Sequence, residues 1–273
     1  ENSDEPHDVV EIFGNIPQER NAIAELYSPP RVVEAAIARG LVADLSIDLS
    51  TGYDLSLPAE KERAREQIRK RKPRLLVTSP PCTKFSPLQN IRKYPELLQE
   101  ELGPAIDHMD FSMEMQEEQL SRGDLGLHEH PDLATSWELP KVQQFLSHEE
   151  VLLIKSHLCR FGLIINGKLS RKSTLFATTC DAIAANLQRL CNCVDGHQQL
   201  INGLPHQAQT YPPALVKAIV DGLIQDWVDQ QQGRPTRLPD HGDLCQWIDF
   251  FFKQKPAYER RNCDWSSDVC SSD

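Results

Sequence analysis

The chain lacks the features of membrane and secreted proteins. None of its apolar runs approaches the roughly 18 residues that a membrane-spanning helix requires. No basic segment followed by an apolar one opens the chain, so the sequence does not indicate a secretory signal peptide. We therefore expect a soluble protein inside the cell, in the cytoplasm or the nucleus.

Positive charge is also scarce. Lysine and arginine number 29 against 40 aspartates and glutamates, a net charge of −11. This balance weighs mildly against nucleic acid, because neutralising phosphates requires clustered cations. Local basic stretches nevertheless run from Arg63 to Arg74 and from Lys168 to Lys172. The eight cysteines are scattered through a chain too long to need a disulfide scaffold, and we predict that they are reduced.

The two ends of the chain are predicted to lie outside the fold. Residues 1–20 are acidic and lack periodicity, which indicates a flexible lead-in. Residues 21–232 form the predicted domain, and 233–249 a linker or short helix. Residues 250–273 end in a string around Cys263 and Cys270 that resembles a translated sequencing-adapter artefact of a gene assembled from metagenomic reads. A native disordered tail is the alternative.

The middle of the chain alternates predicted strands with predicted helices, which favours an α/β fold with a doubly wound, mostly parallel, Rossmann-like sheet. The predicted strands are 22–27, 45–49, 74–78, 125–128, 151–154 and 173–178. The predicted helices are 31–39, 58–70, 95–122 (with Gly103-Pro104 as the place where it would break), 136–147, 180–190 and 213–231.

The candidate chemical groups follow the predicted strands. They are Tyr27-Ser28-Pro29-Pro30, Asp48, Asp54, Pro80-Pro81-Cys82 and His128-Glu129-His130-Pro131. Ligands of such sheets bind at the carboxyl ends of strands, so these groups are expected on one rim. A cysteine on a Pro-Pro turn is suited to presentation in a cleft, where nearby cations favour its thiolate. The alternative for Cys82 is a small buried apolar side chain.

The segment from Leu75 to Ser86, with Ser79-Pro80-Pro81-Cys82 at its centre, resembles the nucleophile motif of cytosine-5 DNA methyltransferases. The other matches come in the family's order over about 200 residues. They are Glu25-Leu26-Tyr27, His128-Glu129-His130, Phe161-Gly162, the stretch from Ser170 to Phe176 and the stretch from Tyr211 to Ile219.

This resemblance implies a methyltransferase-type α/β fold and methyl transfer from S-adenosylmethionine to a cytosine flipped out of double-stranded DNA. Cys82 would attack ring carbon 6, Glu129 would hydrogen-bond or protonate ring nitrogen 3, and Arg171 would help position the base or the anionic intermediate. The residues implied for the cofactor are Glu25, Tyr27, Ser28, Arg31, Asp48, Asp54 and Pro80. Ordinary turn and capping roles are the alternative for the two aspartates.

The chain departs from the family at three places. Ser28-Pro29-Pro30-Arg31 stands where the family has a glycine-rich loop, whose backbone N–H groups meet the cofactor. About 35 residues separate Phe176 from Tyr211, too few for a separate target-recognition domain. The triplet His128-Glu129-His130 lacks the family's asparagine, and alternation puts Glu129 on the face opposite both histidines, against a metal site there.

Other interpretations stay open. A catalytically silent domain of the same fold, part of a mobile-element polyprotein that binds nucleic acid or protein, is the principal alternative. A Rossmann-like enzyme that uses Cys82 on another substrate is a second. Separately, Cys191, Cys193, His197 and His206 offer ligands for zinc, although their spacing is not that of a common zinc finger and a plain surface loop is the simpler interpretation.

Overall fold

The computed structural model describes residues 21–87, 89, 96–194, 196–200 and 204–233. All of them belong to one compact unit. The predicted lead-in, nearly all of the linker, and the tail with Cys263 and Cys270 lie outside the described residues.

The described chain alternates strands with helices, as the sequence predicts. The strands are β1 (Ile23–Leu26), β2 (Leu45–Ile47), β3 (Leu75–Thr78), β4 (Leu125–Pro131), β5 (Leu152–His157), β6 (Ile164–Ile165), β7 (Lys168–Leu169) and β8 (Ser173–Thr178). The α-helices are α1 (Arg31–Ala38), α2 (Pro58–Arg71), α3 (Glu96–Ser121), α4 (Pro140–Leu146), α5 (Asp181–Leu187), α6 (Leu204–Gln207) and α7 (Pro213–Gln231).

The central sheet has six strands in the order β2-β1-β3-β4-β8-β5. The four strands from β2 to β4 are mutually parallel, with Leu26 opposite Thr78 and Thr78 opposite His128. Strand β8 is antiparallel to both β4 and β5. The predicted class, a mostly parallel Rossmann-like α/β fold, is therefore confirmed.

Helices cover both faces of the sheet. On one face, Leu75 and Val77 pack with apolar side chains of α1, α5 and α7. On the other face, Leu76 packs with α2 and α3, and β8 packs with α3 and α4. Because successive strand residues point to opposite faces, a strand buried on both sides is apolar at every position, as Leu75-Leu76-Val77 is.

Two boundary predictions were wrong. Helix α3 does not break at Gly103-Pro104 but runs through it. Both residues are exposed, so water can satisfy the backbone carbonyl that loses its partner at the proline. The predicted helix 136–147 divides into a 3₁₀ turn over Thr135–Glu138 and α4, because Pro140 has no N–H group to continue the earlier turn and starts a new helix.

Candidate functional site

The ligand crevice of such a sheet lies where the strand order changes direction. Here β1 has β2 on one side and β3 on the other, which places that point between the carboxyl ends of β1 and β3. The two following loops are joined by the Ser79 N–H, which donates to the Leu26 carbonyl at 3.1 Å. Tyr27 has a φ of 64°, a left-handed conformation that is rare for a bulky side chain. Such backbone strain concentrates at functional sites.

Cys82 lies at the turn between β3 and a 3₁₀ helix over Thr83–Phe85. The turn is anchored by Phe85, whose N–H donates to the Cys82 carbonyl at 3.1 Å and whose buried ring lies edge-on to His130, with 5.8 Å between the centroids. The thiol is half-buried. Burial raises its pKa, the charge of Glu129 raises it further, and the charge of Lys172 lowers it. Cys82, Glu129 and Lys172 therefore share one electrostatic site, in which the thiol form dominates at neutral pH.

Glu129, near the end of β4, is held by two donors from distant parts of the chain. The Lys172 Nζ lies 3.4 Å from its Oε1, and the Tyr211 hydroxyl donates to its Oε2 at 3.4 Å. Tyr211 also hydrogen-bonds the Ser79 hydroxyl, at the start of the nucleophile turn. Burial, and then the Glu129 charge, raise the pKa of Tyr211, so its phenol stays a neutral donor. A chain of contacts thus links the turn before Cys82 to the Glu129 carboxyl group.

Lys172, not Arg171, is the cation at this carboxyl group. Neighbouring residues at the start of a strand point to opposite sides, and only Lys172 points inward. Arg171 is exposed, and its charge acts on His157 and Cys191 instead. The charge of Glu129 therefore acts on Cys82, whereas Arg171 does not contact this carboxyl group. Lys172 and Tyr211 do contact it, and the sequence reasoning missed them as site residues.

His128 and His130 lie on the opposite face of β4 from Glu129. Their Nδ1 atoms lie 2.9 Å from the Thr78 hydroxyl and 2.6 Å from the Ser136 hydroxyl, respectively. Both rings pack edge-on against Trp137. Burial lowers the pKa of both imidazoles, that of His128 to about 3. They are neutral core histidines, separated by the sheet from the Glu129 carboxylate.

Glu25, implied as a cofactor residue, binds the protein itself. Its buried carboxylate accepts from the Val33 N–H at 2.8 Å and from the Ser28 hydroxyl at 2.9 Å. The Val33 N–H is one of the unpaired donors at the amino end of α1, where an anion is favoured. Despite these donors, burial raises the pKa of Glu25 to about 7. Glu25 therefore occupies the anion position that helix α1 offers.

Asp48 and Asp54 have turn and capping roles. Asp48 caps the 3₁₀ helix over Leu49–Thr51, and its Oδ1 accepts from the N–H and hydroxyl of Ser50 at 2.9 and 2.6 Å. The Asp54 Oδ1 likewise accepts from the N–H and hydroxyl of Ser56, at 3.1 and 2.6 Å, and these bonds lower the pKa of Asp54. In both residues these bonds use Oδ1 alone.

The residues around the crevice fit the two halves of S-adenosylmethionine unequally. Asp48 follows β2 and can accept from ribose hydroxyls through its second oxygen. The loop after β1 offers few free backbone donors to a methionine carboxylate. The Tyr27 N–H donates to the Ile47 carbonyl at 2.8 Å, and the Arg31 N–H donates to the Pro29 carbonyl at 2.7 Å. The two prolines of the loop have no N–H. The Arg31 side chain, at the start of α1 with its charge acting on Glu25, is the candidate partner for that end.

The basic stretch from Arg63 to Arg74 is largely neutralised by the protein's own carboxylates. Its arginine side chains form ion pairs with the following partners: Arg63 with Glu60, Arg65 with Glu62 and Glu114, Arg69 with Glu118, Arg71 with Asp44, and Arg74 with Asp226. It also ends at the amino side of β3, across the sheet from Cys82. In the second stretch, Lys168 and Arg171 are exposed near the carboxyl-end rim.

Within the described part of the chain, no helix combines the length and the apolarity needed to cross a membrane.

No protein-family model matches this chain, and searches of curated proteins and of solved structures give no significant match.

Proposed function

We propose that this protein is a divergent, compact cytosine-5 DNA methyltransferase that forms a covalent intermediate through Cys82. The observation that carries the proposal is the shared site of Cys82, Glu129 and Lys172 at the carboxyl ends of β3 and β4. A thiol, a carboxyl group and a cation whose charges act on one another supply a nucleophile, a hydrogen-bonding group for the base and a charge for its anion.

The chemistry of this site divides among the three side chains. The Cys82 thiol passes its proton, through solvent, to the Glu129 carboxylate. The sulfur then forms a bond to cytosine carbon 6 while Glu129 delivers that proton to ring nitrogen 3. Lys172 stabilises the negative charge that develops on the ring and on Glu129. Carbon 5, now nucleophilic, accepts a methyl group. A solvent water takes the carbon-5 proton, and ring nitrogen 3 returns its proton to the Glu129 carboxylate. Cleavage of the sulfur–carbon bond then releases 5-methylcytosine and regenerates the Cys82 thiolate.

The methyl donor in this proposal is S-adenosylmethionine, which supplies an electrophilic methyl group and leaves as S-adenosylhomocysteine. Asp48 would accept from its ribose, Asp54 from its adenine amino group, and Arg31 would bind its carboxylate. Pro80, buried beside the crevice, contributes apolar contact. Arg31→Ala is expected to weaken S-adenosylmethionine binding by about tenfold, the cost of one charge-assisted contact.

The DNA would approach the rim that bears Lys168 and Arg171. A base inside a duplex is out of reach of Cys82, so the target cytosine has to rotate out of the stack. We expect the double variant Lys168→Ala/Arg171→Ala to weaken duplex binding and to reduce its salt dependence. The matched control is Lys70→Ala/Lys72→Ala, which removes two exposed cations at the opposite edge of the sheet.

The test of the covalent mechanism uses DNA that contains 5-fluorocytosine, together with S-adenosylmethionine. Fluorine at carbon 5 cannot leave as a cation, so the sulfur–carbon bond persists and the protein gains the mass of the DNA. We expect a complex with the unmodified protein, none with Cys82→Ser and a reduced yield with Glu129→Gln. Thr83→Ala, at an exposed site on the same turn, is the control and should form the complex normally.

The second candidate is a catalytically silent domain of this fold that binds nucleic acid or protein. It is favoured by Glu25, whose carboxylate fills the anion position of α1, and by the two prolines of the loop after β1. The two proposals differ in cofactor binding. A thermal-shift titration with S-adenosylmethionine and S-adenosylhomocysteine should raise the unfolding midpoint of a methyltransferase. If millimolar cofactor does not raise the unfolding midpoint and no covalent complex is trapped, the result supports the silent domain and not the methyltransferase.

A further inference from the structure

A second cluster of reactive side chains lies away from Cys82. Cys159, in the 3₁₀ turn after β5, meets Cys191, Cys193 and His197 from the segment that follows α5. One ligand atom from each, three Sγ and one imidazole nitrogen, lie within 4.8 Å of one another. His206, exposed in α6, is not a member, and Cys159 takes the place that the sequence analysis gave to it.

The spacing of these atoms suits one small tetrahedral ion. With zinc–sulfur bonds of about 2.3 Å and zinc–nitrogen bonds of about 2.0 Å, tetrahedral ligand atoms lie roughly 3.5–3.8 Å apart. The Cys191 Sγ lies 3.5 Å from the His197 Nε2. The remaining ligand atoms need to shift by no more than about 1 Å to close such a shell.

The backbone around the cluster is fixed by a separate set of hydrogen bonds. The Cys191 N–H donates to the His157 Nδ1 at 2.8 Å, and the His157 N–H donates to the Arg189 carbonyl at 2.9 Å. Further along, the Gln198 N–H donates to the Leu169 carbonyl at 2.7 Å. These bonds hold both sides of the segment against β5 and β7.

The position of the cluster in the fold gives an ion a structural task. The described residues between α5 and α6 form neither helix nor strand, and they lie against β5, the last strand of the sheet. Few apolar side chains anchor them: Val194 is fully exposed. A metal would join this segment to the 3₁₀ turn that holds Cys159, two parts of the chain that are otherwise connected mainly through polar contacts.

We propose that Cys159, Cys191, Cys193 and His197 bind one structural Zn²⁺ ion. Three thiolates and one imidazole form a soft donor set that favours zinc over magnesium or calcium. Four protein ligands complete the tetrahedral shell and leave no open position, which makes the site structural rather than catalytic. The Leu158 N–H donates to the Lys172 carbonyl at 3.0 Å, so the metal-bound turn also supports the backbone of Lys172.

The first test is the metal content of the full-length protein, purified under reducing conditions without chelator. Cys263→Ser/Cys270→Ser is the background, so that thiols of the tail cannot contribute. We expect close to one zinc per chain by mass spectrometry of the elements. When Co²⁺ replaces the zinc, the protein should show the intense visible absorption of tetrahedral cobalt bound to thiolates. A chelator should lower the unfolding midpoint by several degrees.

The second test separates these ligands from neighbouring groups. His197→Ala and Cys193→Ala should each weaken zinc binding at least tenfold, whereas His206→Ala, an exposed histidine nearby, should retain the metal. If a variant fails to fold, the cobalt spectrum of the protein with all four ligands intact still tests the proposal. A reduced protein that takes up neither metal, equal zinc loss in His197→Ala and His206→Ala, or a disulfide among Cys159, Cys191 and Cys193 would each overturn the proposal. None of these outcomes bears on Cys82.

Discussion

The Cys82 thiol is governed by two opposing charges. Glu129 raises its pKa and Lys172 lowers it, after burial has set the larger upward shift. A raised pKa means that less thiolate is present at neutral pH, so the reaction of the free protein with an alkylating agent should accelerate as pH rises above neutrality. This balance is a property of the site whether or not cytosine is its substrate.

We predict opposite effects for two substitutions on this thiol. At pH 7.5, Glu129→Gln should increase the alkylation rate of Cys82 by about threefold to tenfold, because losing a negative charge lowers the pKa, and the gain in thiolate exceeds its lower intrinsic nucleophilicity. Lys172→Ala should slow the reaction by a similar factor. Mass spectrometry of the Cys82 peptide follows the rate apart from the other cysteines.

Thr83→Ala is the control for this pair, since it changes an exposed side chain on the same turn without changing charge. A slower reaction in Glu129→Gln, or rates that are equal in all three variants, would contradict the electrostatic coupling of the site.

Because of Glu25, the free energy of unfolding should fall as pH rises, which is opposite to the usual effect of a carboxyl group. The pKa of Glu25 is raised from 4.5 to about 7, so the folded state binds more protons than the unfolded state across that interval. The resulting stabilisation is fully present below pH 4.5 and is lost as pH rises through 7, an effect of about 3 kcal/mol. Glu25→Gln should remove this decline. Urea unfolding at pH 5 and pH 8 measures it, and parallel pH profiles for the two proteins would refute it.

At the scale of elements, α5 and α7 pack closely against each other at a glycine. A Cβ on Gly222 would lie 2.7 Å from the Ile183 Cα and 2.9 Å from the Ile183 nitrogen. These are backbone atoms, so the two helices have to separate to accommodate it. The contact matters because α7 follows directly on Tyr211, the residue that hydrogen-bonds Glu129.

Gly222→Ala should therefore lower the free energy of unfolding by about 1–3 kcal/mol, although alanine has the better helix propensity by about 1 kcal/mol. Gln225→Ala, exposed on the same helix, is the matched control and should change stability by less than about 0.5 kcal/mol. Urea denaturation distinguishes them. A stabilised Gly222→Ala protein would show that α5 and α7 are less closely packed than described.

At the scale of the whole molecule, one nearly buried ion pair connects parts of the chain that are 152 residues apart. The Arg74 guanidinium, before β3, lies 3.0 Å from the Asp226 carboxylate of α7, with side-chain exposures of 13% and 5%. The same guanidinium donates to the Gly123 carbonyl at 2.9 Å, before β4. Arg74 thus ties the amino-end edge of the sheet to the last helix of the fold.

Asp226→Asn should cost about 1.5–3 kcal/mol of unfolding free energy, because it removes the nearer of the two carboxylates that pair with the largely buried Arg74 charge and leaves only Asp124, at 3.8 Å. Glu118→Gln breaks the more exposed pair with Arg69, and its effect should be much smaller because water screens that pair. Chemical denaturation of both variants gives the comparison, and equal effects would mean that solvent screens the Arg74–Asp226 pair.

Much of the architecture could be predicted locally. The bounds predicted for β8, 173–178, and for α7, 213–231, match the structure. Their apolar spacing and flanking residues are local signals. The hairpin of β6 and β7 was missed, although its Asn166-Gly167 turn, with both residues at positive φ, is a strong hairpin signal. The antiparallel direction of β8 could not be read from its sequence, because a strand buried on both faces has the same composition in either direction.

The sequence by itself determined the α/β class, the turn that carries Cys82 and the carboxylate at position 129, because periodicity and turn chemistry are local. Only the tertiary structure decided which cation faces Glu129, that Tyr211 contacts it, that Glu25 binds the amino end of α1, and that Cys159 rather than His206 joins the thiol cluster. These pairings join residues tens of positions apart. Strand order and side-chain direction fix them, and neither is encoded in any short stretch of the chain.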